Sequence, residues 1–271
     1  MGYAVGMADS SPLAVVTGAS SGIGLELARG LVRRGYDVVV TAEDAELATA
    51  AAEVRAAADS REVVTVRADL SLPEGVTELY DAVSALGRPV DVVCLNAGIG
   101  VGGRFWETSI EDDLRLVDLN VRSTVHLAKL VVRDMVERGS GRVLVTASIA
   151  AKAPGPYHAT YAASKAFVHS FAEGIRHELS DTGVTVTSLM PGPTDTEFFE
   201  RADMEDTKVG SGKKDDPADV AEDGLEALLA GKDHVVAGST KNKVMAAGSS
   251  ASPDRVAAAS MAQMTKPGSG D

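Results

Sequence analysis

The chain has 271 residues, 45% of them hydrophobic, which is enough for one large α/β domain with a substantial core. Its 26 Lys and Arg against 39 Asp and Glu leave a formal charge of −13, which repels phosphate backbones and anionic lipid and so argues against nucleic acid or membrane partners. The first dozen residues have neither a basic start nor an apolar stretch, and no later apolar run approaches a membrane span, so the cytoplasm is the expected address.

Along the chain, short β-branched runs predict seven strands: Leu13 to Thr17, Asp37 to Thr41, Val63 to Arg67, Val90 to Leu95, Arg142 to Thr146, Val184 to Leu189 and His234 to Ala237. Between them, apolar residues at helical spacing predict helices over Ile23 to Arg34, Ala45 to Ala58, Glu74 to Leu86, Val121 to Arg138 and Tyr161 to Asp181. The acidic run Glu111-Asp112-Asp113 opens a further helix and complements its dipole. Strand followed by helix, repeated, implies parallel strands joined by right-handed crossovers, and the near-continuous Val content implies a sheet covered on both faces. The expected fold is therefore a doubly wound, seven-stranded parallel sheet, with ligands beyond the carboxyl ends of its strands. Residues 1–11 read as an N-terminal tail, 12–240 as a single domain with a polar, mobile flap at 192–216, and 241–271 as a C-terminal tail, either loose or docked on a neighbour. Lys213 to Asp216 in the flap read as a solvated turn, and Cys94 in its apolar run as a core residue. The five histidines and single cysteine show no metal-ligand spacing, so no metal is expected.

The first strand ends in Thr17-Gly18-Ala19-Ser20-Ser21-Gly22-Ile23-Gly24, and a helix begins at once. Glycines at those places let the backbone turn sharply, approach a pyrophosphate and pack helix against strand, while the helix N-terminus offers N–H groups and a positive dipole end to phosphate. This is a Rossmann-type dinucleotide signal in its required strand-then-helix context. Tyr161-Ala162-Ala163-Ser164-Lys165 opens a long helix, and the i, i+4 spacing puts phenol and ammonium on one face. A cation held there favours the phenolate, lowering the phenol from its ordinary value of about 10; an ordinary helix pair is the other reading of the same spacing.

The order of motifs resembles the short-chain dehydrogenase/reductase family in its compact form, over about Leu13 to Ala237. Beyond the glycine turn and Tyr161/Lys165, the chain carries Asp69-Leu70 after strand three, Asn96-Ala97-Gly98 after strand four, Asn120 in a helix, Ser148 after strand five and Pro191-Gly192 after strand six. The resemblance implies an NAD(P)-dependent oxidoreductase acting on an alcohol or carbonyl substrate. Tyr161 would be the general acid/base, Lys165 would bind the nicotinamide ribose and lower the phenol, Ser148 would hydrogen-bond the substrate oxygen, and Asn120 would anchor a water that relays protons from Lys165. Thr17, Gly18, Ser20, Ser21, Gly22, Ile23 and Gly24 would cradle the dinucleotide. Asp69 would accept from the adenine amino group, with Leu70 beside it, and Asn96, Ala97 and Gly98 would line the adenine-ribose side. For Asn96, holding neighbouring strands together is an equal reading. Pro191, Gly192, Thr194 and Thr196 would close over the nicotinamide, with Thr194 the better choice of the two threonines. Strand two ends Ala42-Glu43-Asp44, with neither the family's NADP arginine at Glu43 nor its NAD aspartate at Ala42, and the Glu43 carboxylate would repel a 2′-phosphate, favouring NAD over NADP. The resemblance also implies a homodimer or homotetramer through the two long helices. The last strand lacks the family's usual Asp-Gly-Gly finish, which weighs against a tetramer built through it.

Other residues carry open readings. His158 is either a packing residue or close enough to reach substrate; Phe105 and Trp106 either wall a pocket or pin a loop; Phe198, Phe199 and Met204 either touch substrate or dock the flap. Two competing functions are a sugar-nucleotide epimerase or dehydratase, disfavoured by glycine spacing and the short C-terminal part, and a non-catalytic dinucleotide sensor, disfavoured by intact Tyr161 and Lys165.

Overall fold

Valine-rich strands with no polar alternation need cover on both faces, and the computed structural model, which describes residues 11–58 and 60–270, provides it. Strands β1 (Leu13–Thr17), β2 (Asp37–Ala42), β3 (Val63–Arg67), β4 (Val90–Leu95), β5 (Gly141–Thr146), β6 (Val184–Met190) and β7 (His234–Val236) pair in parallel in the order β3-β2-β1-β4-β5-β6-β7. All seven expected strands are present. Residues 1–10 of the expected N-terminal tail lie outside the described residues.

The pleat sends alternate residues to opposite layers. On one face Val15, Val39, Val93, Val143 and Val186 pack with α3 (Pro73–Ser84), α5 (Ser123–Arg138) and α6 (Ala159–Glu178) through Leu79, Leu127, Val131 and Val168. On the other, Ala14, Val16, Val38, Val40, Val92, Cys94 and Leu144 pack with α1 (Gly22–Arg33), α2 (Leu47–Ala56) and α9 (Pro217–Leu229) through Leu27, Leu31, Val54, Leu225 and Leu228. Each fully buried leucine contributes roughly 1.5–3 kcal/mol relative to exposure. Cys94 is a buried core thiol, its pKa pushed up to about 12 by burial. The strand order reverses direction between β1 and β4, and ligands of such sheets bind outside that point.

Three regions depart from the sequence expectation. The predicted helix from Val121 is the second half of a longer run: α4 (Ile110–Val117) continues through a π-helical turn at Asp118–Arg122 into α5, and Asn120 sits in that turn. The flap contains the short helices α7 (Phe198–Arg201) and α8 (Lys208–Ser211), tied at its base by hydrogen bonds from Asp215 N to Pro193 O (2.8 Å) and from Asp195 N to Asp215 O (2.9 Å). Lys213 to Asp216 are not merely a solvated turn, since Lys214 lies over the Phe199 ring, Asp215 accepts from Asn242, and Asp216 caps α9 by accepting from Ala218 N. The expected C-terminal tail forms α10 (Thr240–Ala251) and α11 (Asp254–Thr265), which fold back onto the domain instead of trailing from it. Thr265 Oγ1 donates to Pro156 O at 2.8 Å, and the amides of Gly268 and Gly270 donate to the Asp206 carboxylate and carbonyl.

Candidate active site

At the carboxyl edge of the sheet the chain from β1 turns into α1 on glycines whose geometry is dictated by contact. Gly18 has φ +64°, and a Cβ there would lie 2.8 Å from Ala97 Cα; a Cβ on Gly24 would lie 1.9 Å from the Gly18 carbonyl oxygen. The result is an α1 N-terminus open to ligand: Ser21 makes no side-chain capping bond, and the first turn holds no acidic residue. Gly18, Ser20, Ser21, Gly22, Ile23 and Gly24 line a cavity of about 270 Å³ that continues past Asn96–Gly98 to Ser148, Tyr161 and Lys165. An uncapped helix end with glycine flanks fits a pyrophosphate, so these residues suit a dinucleotide. Thr17 does not reach the cavity. Its hydroxyl is buried, donates to Cys94 O and accepts from the amides of Asn96 and Ala97, so it splices β1 to β4.

Asn96 likewise acts as a strand connector. Its Nδ2 donates to Thr17 O (3.0 Å) and Gly18 O (3.2 Å), and its Oδ1 accepts from Thr146 Oγ1 (3.0 Å), which uses both ends of the amide inside the protein. On the far side, Ala42, Glu43, Asp44, Asp69 and Leu70 line the cavity. Asp69 Oδ1 accepts from the amide and hydroxyl of Ser71; although partial burial opposes it, these bonds and the Arg115 charge hold the carboxyl below its ordinary range. Arg115 on α4 was not foreseen. Its guanidinium pairs with the Glu43 carboxylate and approaches Asp69 Oδ2 at 3.7 Å, while Arg67 Nε donates to Glu43 O. A partner 72 positions away in sequence leaves no local signal.

The chemistry-bearing side chains meet where β5, α5 and α6 converge. Ser148 follows β5 with extended backbone, and its Oγ accepts from Ala150 N at 3.1 Å, which leaves its own hydrogen to donate elsewhere. Tyr161 and Lys165 lie one turn apart on α6; Lys165 Nζ is 5.8 Å from the phenol ring centre and donates to Thr146 O at 2.9 Å. Asn120 is buried behind them, not in the cavity lining. Its Oδ1 accepts from Ile99 N, and its Nδ2 donates to Ile99 O and Ser164 Oγ, bracing the loop after β4 against α6. Burial pushes the Tyr161 phenol up to about 12, with Ser148 pulling against it, and pushes Lys165 down to about 8. The expected lowering of the phenol by Lys165 is thus reversed among the chain's own groups. The ammonium faces a carbonyl and sits across the ring, so desolvation outweighs the attraction.

Pro191, Gly192, Thr194 and Thr196 line the same cavity. Thr194 is buried and its hydroxyl donates to Gly192 O, whereas Thr196 stands over the glycine turn, where a Cβ on Gly22 would meet its Cγ2 at 2.7 Å. Phe198 packs on Tyr161 with ring centres 5.0 Å apart, and Phe199 and Met204 are buried beside it. Phe105 and Trp106 fulfil neither of their expected roles, being 67% and 78% exposed. No group of side chains that could hold a metal occurs among the described residues.

His158 lines the cavity, is 5% exposed and has an unpartnered buried Nδ1; burial pushes it down to about 4, against a hydrogen bond to Pro156. It is therefore neutral at pH 7. Because the unfolded chain takes up this proton first, stability is expected to fall as pH drops from about 6.5 to about 4, by on the order of 3 kcal/mol from His158. His169, desolvated and beside the Lys152 ammonium, is also pushed down to about 4 and adds to the slope. Melting scans across this range should show a shallower decline for His158→Gln than for the parent; parallel curves would remove His158 from the account.

The sequence profile of the short chain dehydrogenase family matches residues 12–206. An uncharacterized oxidoreductase of Staphylococcus saprophyticus is 36% identical over 219 residues, 80% of this chain and 90% of that protein. A 1-deoxy-11-beta-hydroxypentalenate dehydrogenase of Streptomyces exfoliatus is 42% identical over 187 residues, 68% of this chain and 67% of that protein. Among solved structures, a short-chain dehydrogenase from Sphingobium yanoikuyae in complex with NADPH superposes with TM-score 0.77 at 29% identity, covering 83% of this chain and 87% of that one. A relative from Burkholderia phymatum in complex with NAD superposes with TM-score 0.73 at 27% identity, covering 84% and 89%. The parallel sheet, its glycine turn and the site at its carboxyl edge define an oxidoreductase of the Rossmann type. The chain belongs to the short-chain dehydrogenase family.

Proposed function

We propose that the protein catalyses reversible, NAD(P)-dependent hydride transfer between nicotinamide and a secondary alcohol or ketone-type substrate, with Tyr161 as general acid/base. The observation that carries this reading is one unbroken cavity whose lining runs from the uncapped end of α1 to the Tyr161, Ser148 and Lys165 side chains. Bound nicotinamide supplies or accepts the hydride. The protein's share is to manage the oxygen. As a carbonyl carbon gains hydride its oxygen becomes anionic; Ser148, beside Tyr161, turns its hydroxyl hydrogen to it, and Tyr161 gives it a proton. A phenol pushed up to about 12 holds its proton at neutral pH and is suited to that donation. Lys165 has one hydrogen on Thr146 O and others to offer ribose hydroxyls, and Asn120, behind Gly98, keeps the Ile99 loop and α6 in place.

NAD is the favoured cofactor. Glu43, Asp44 and Asp69 face the cavity at its adenine end, while Arg115 and Arg67 stand outside the lining, engaged with Glu43. That balance disfavours a 2′-phosphate. Of the relatives, the dehydrogenase of Streptomyces exfoliatus is named for a hydroxyl-bearing substrate, in keeping with alcohol/carbonyl chemistry. A homodimer or homotetramer is proposed through α5 and α6, supported by exposed Val136 and Phe167 on those helices and by Ile110 and Leu114 on the adjoining α4. The test is purified protein with NADH or NADPH and a panel of ketones, followed at the nicotinamide absorbance. Carbonyl-dependent oxidation of the dinucleotide is expected; binding without turnover of any ketone or alcohol would favour the sensor reading.

A further inference from the structure

The part of the cavity beyond Tyr161 is built from a different kind of residue than the rest. Phe198, Met204 and Val209 come from the flap, and Met245, Met261 and Met264 from α10 and α11. Against these stand few polar groups. His158 is neutral at pH 7 for the reason given above, and Glu197 and Arg201 at the exposed rim pair with each other at 2.5 Å. Gly100 and Gly102 let the flap close down, since a Cβ on either would meet Phe198 Cζ at 2.6 Å or Met204 Cγ at 2.5 Å. The enclosure is tied from both sides: Thr265 holds the loop that carries His158 through Pro156 O, and Gly268, Ser269 and Gly270 bond to Asp206 and Lys208 of the flap.

We propose that this end of the cavity is the substrate site for apolar carbonyl compounds or alcohols of alicyclic or long-alkyl type, and that α11 is part of its specificity surface. The proposal rests on the oxidoreductase reading and adds the substrate class. Methionine and phenylalanine walls reward burial of hydrocarbon, and methionine adapts to irregular shapes. Hydroxyls or carboxylates placed against the same walls would lose their water without finding partners, so sugars and small keto acids are disfavoured. The C-terminal helices thus contribute three methionines to this wall, and the flap and the C-terminal segment enclose the substrate as one tied unit.

The experiment compares decalone with a polyhydroxylated cyclohexanone of similar heavy-atom count, by turnover with the preferred reduced dinucleotide and by calorimetric binding to the dinucleotide-loaded protein. Decalone is expected to lead by about 100-fold in kcat/KM, or in affinity if turnover is slow. In the Met261→Asn/Met264→Asn double variant, KM or Kd for decalone should rise by roughly tenfold. Dinucleotide affinity should stay unchanged as the check on folding, and Met261→Leu/Met264→Leu should restore the parent value. Equal or better use of the polyhydroxylated ketone, or a double variant that leaves decalone unaffected while it binds dinucleotide normally, would overturn the proposal and leave the oxidoreductase reading standing. If neither dinucleotide binds the parent protein, that reading fails instead, and calorimetry of decalone against the protein alone still decides whether the site is apolar.

Discussion

Tyr161→Phe is expected to lower kcat for ketone reduction by about 10²- to 10⁴-fold while leaving dinucleotide affinity nearly unchanged. The variant keeps the ring that packs on Phe198 and loses only the oxygen, so the fold and the cavity wall should persist. What disappears is the acid that neutralises the developing alkoxide; Ser148 remains as a hydrogen-bond donor, which is why residual activity is expected. The pH profile should separate the two directions. With the phenol pushed up to about 12, the reduction rate should show no loss from Tyr161 ionisation through neutral pH, whereas alcohol oxidation, which needs the phenolate, should rise with pH. Lys165, pushed down to about 8, loses its charge above that pH, and dinucleotide affinity should weaken there. Steady-state rates of both directions from pH 6 to 10 read this out. A Tyr161→Phe enzyme with parental kcat would remove Tyr161 from the chemistry.

Gly24→Ala is the second large effect. The new methyl would stand 1.9 Å from the Gly18 carbonyl oxygen and 2.6 Å from Asn96 Nδ2. Neither group can yield easily, because the carbonyl belongs to the turn itself and the amide is tied to Thr17 O and Gly18 O. Overpacking of this kind costs about 1–3 kcal/mol and more where backbone must move, and for a chain of this size each kcal/mol lowers Tm by about 2–4 °C. A fall of roughly 5–10 °C is expected, together with loss of dinucleotide binding as α1 is pushed off the turn. Thermal scans and titration of the same preparation check both; a variant that melts and binds like the parent would mean that Gly24 does not set the position of the helix.

The sheet was legible because a parallel strand buried on both faces writes itself as a continuous Val/Ile/Leu run, and the glycine turn because its spacing has a steric cause at each position. The Tyr161/Lys165 pair and Ser148 were legible as a family pattern, but their electrostatics were not. The depth of burial, and the Thr146 carbonyl that takes the Lys165 proton donor, depend on tertiary packing. Helix α9 was within reach of sequence reading, since Asp216-Pro217 is a helix start and Val220, Leu225 and Leu228 recur on one face. By contrast α10 and α11 are built largely from Ala, Gly, Ser and Met with weak periodicity, so the fold-back that completes the far end of the cavity could not be read from pattern. Arg115 was invisible for the same reason that Thr17 was misplaced: each acts through partners that lie far away in sequence and close in space.

The most direct test is fluorescence titration of the purified protein with NADH and NADPH, repeated on Glu43→Arg. Saturable binding of both is expected, NADH at least about tenfold tighter, with the order reversed in the variant as the carboxylate is replaced by a second guanidinium beside Arg115. Tighter NADPH binding by the parent would contradict the charge argument, and binding of neither dinucleotide would contradict the oxidoreductase itself.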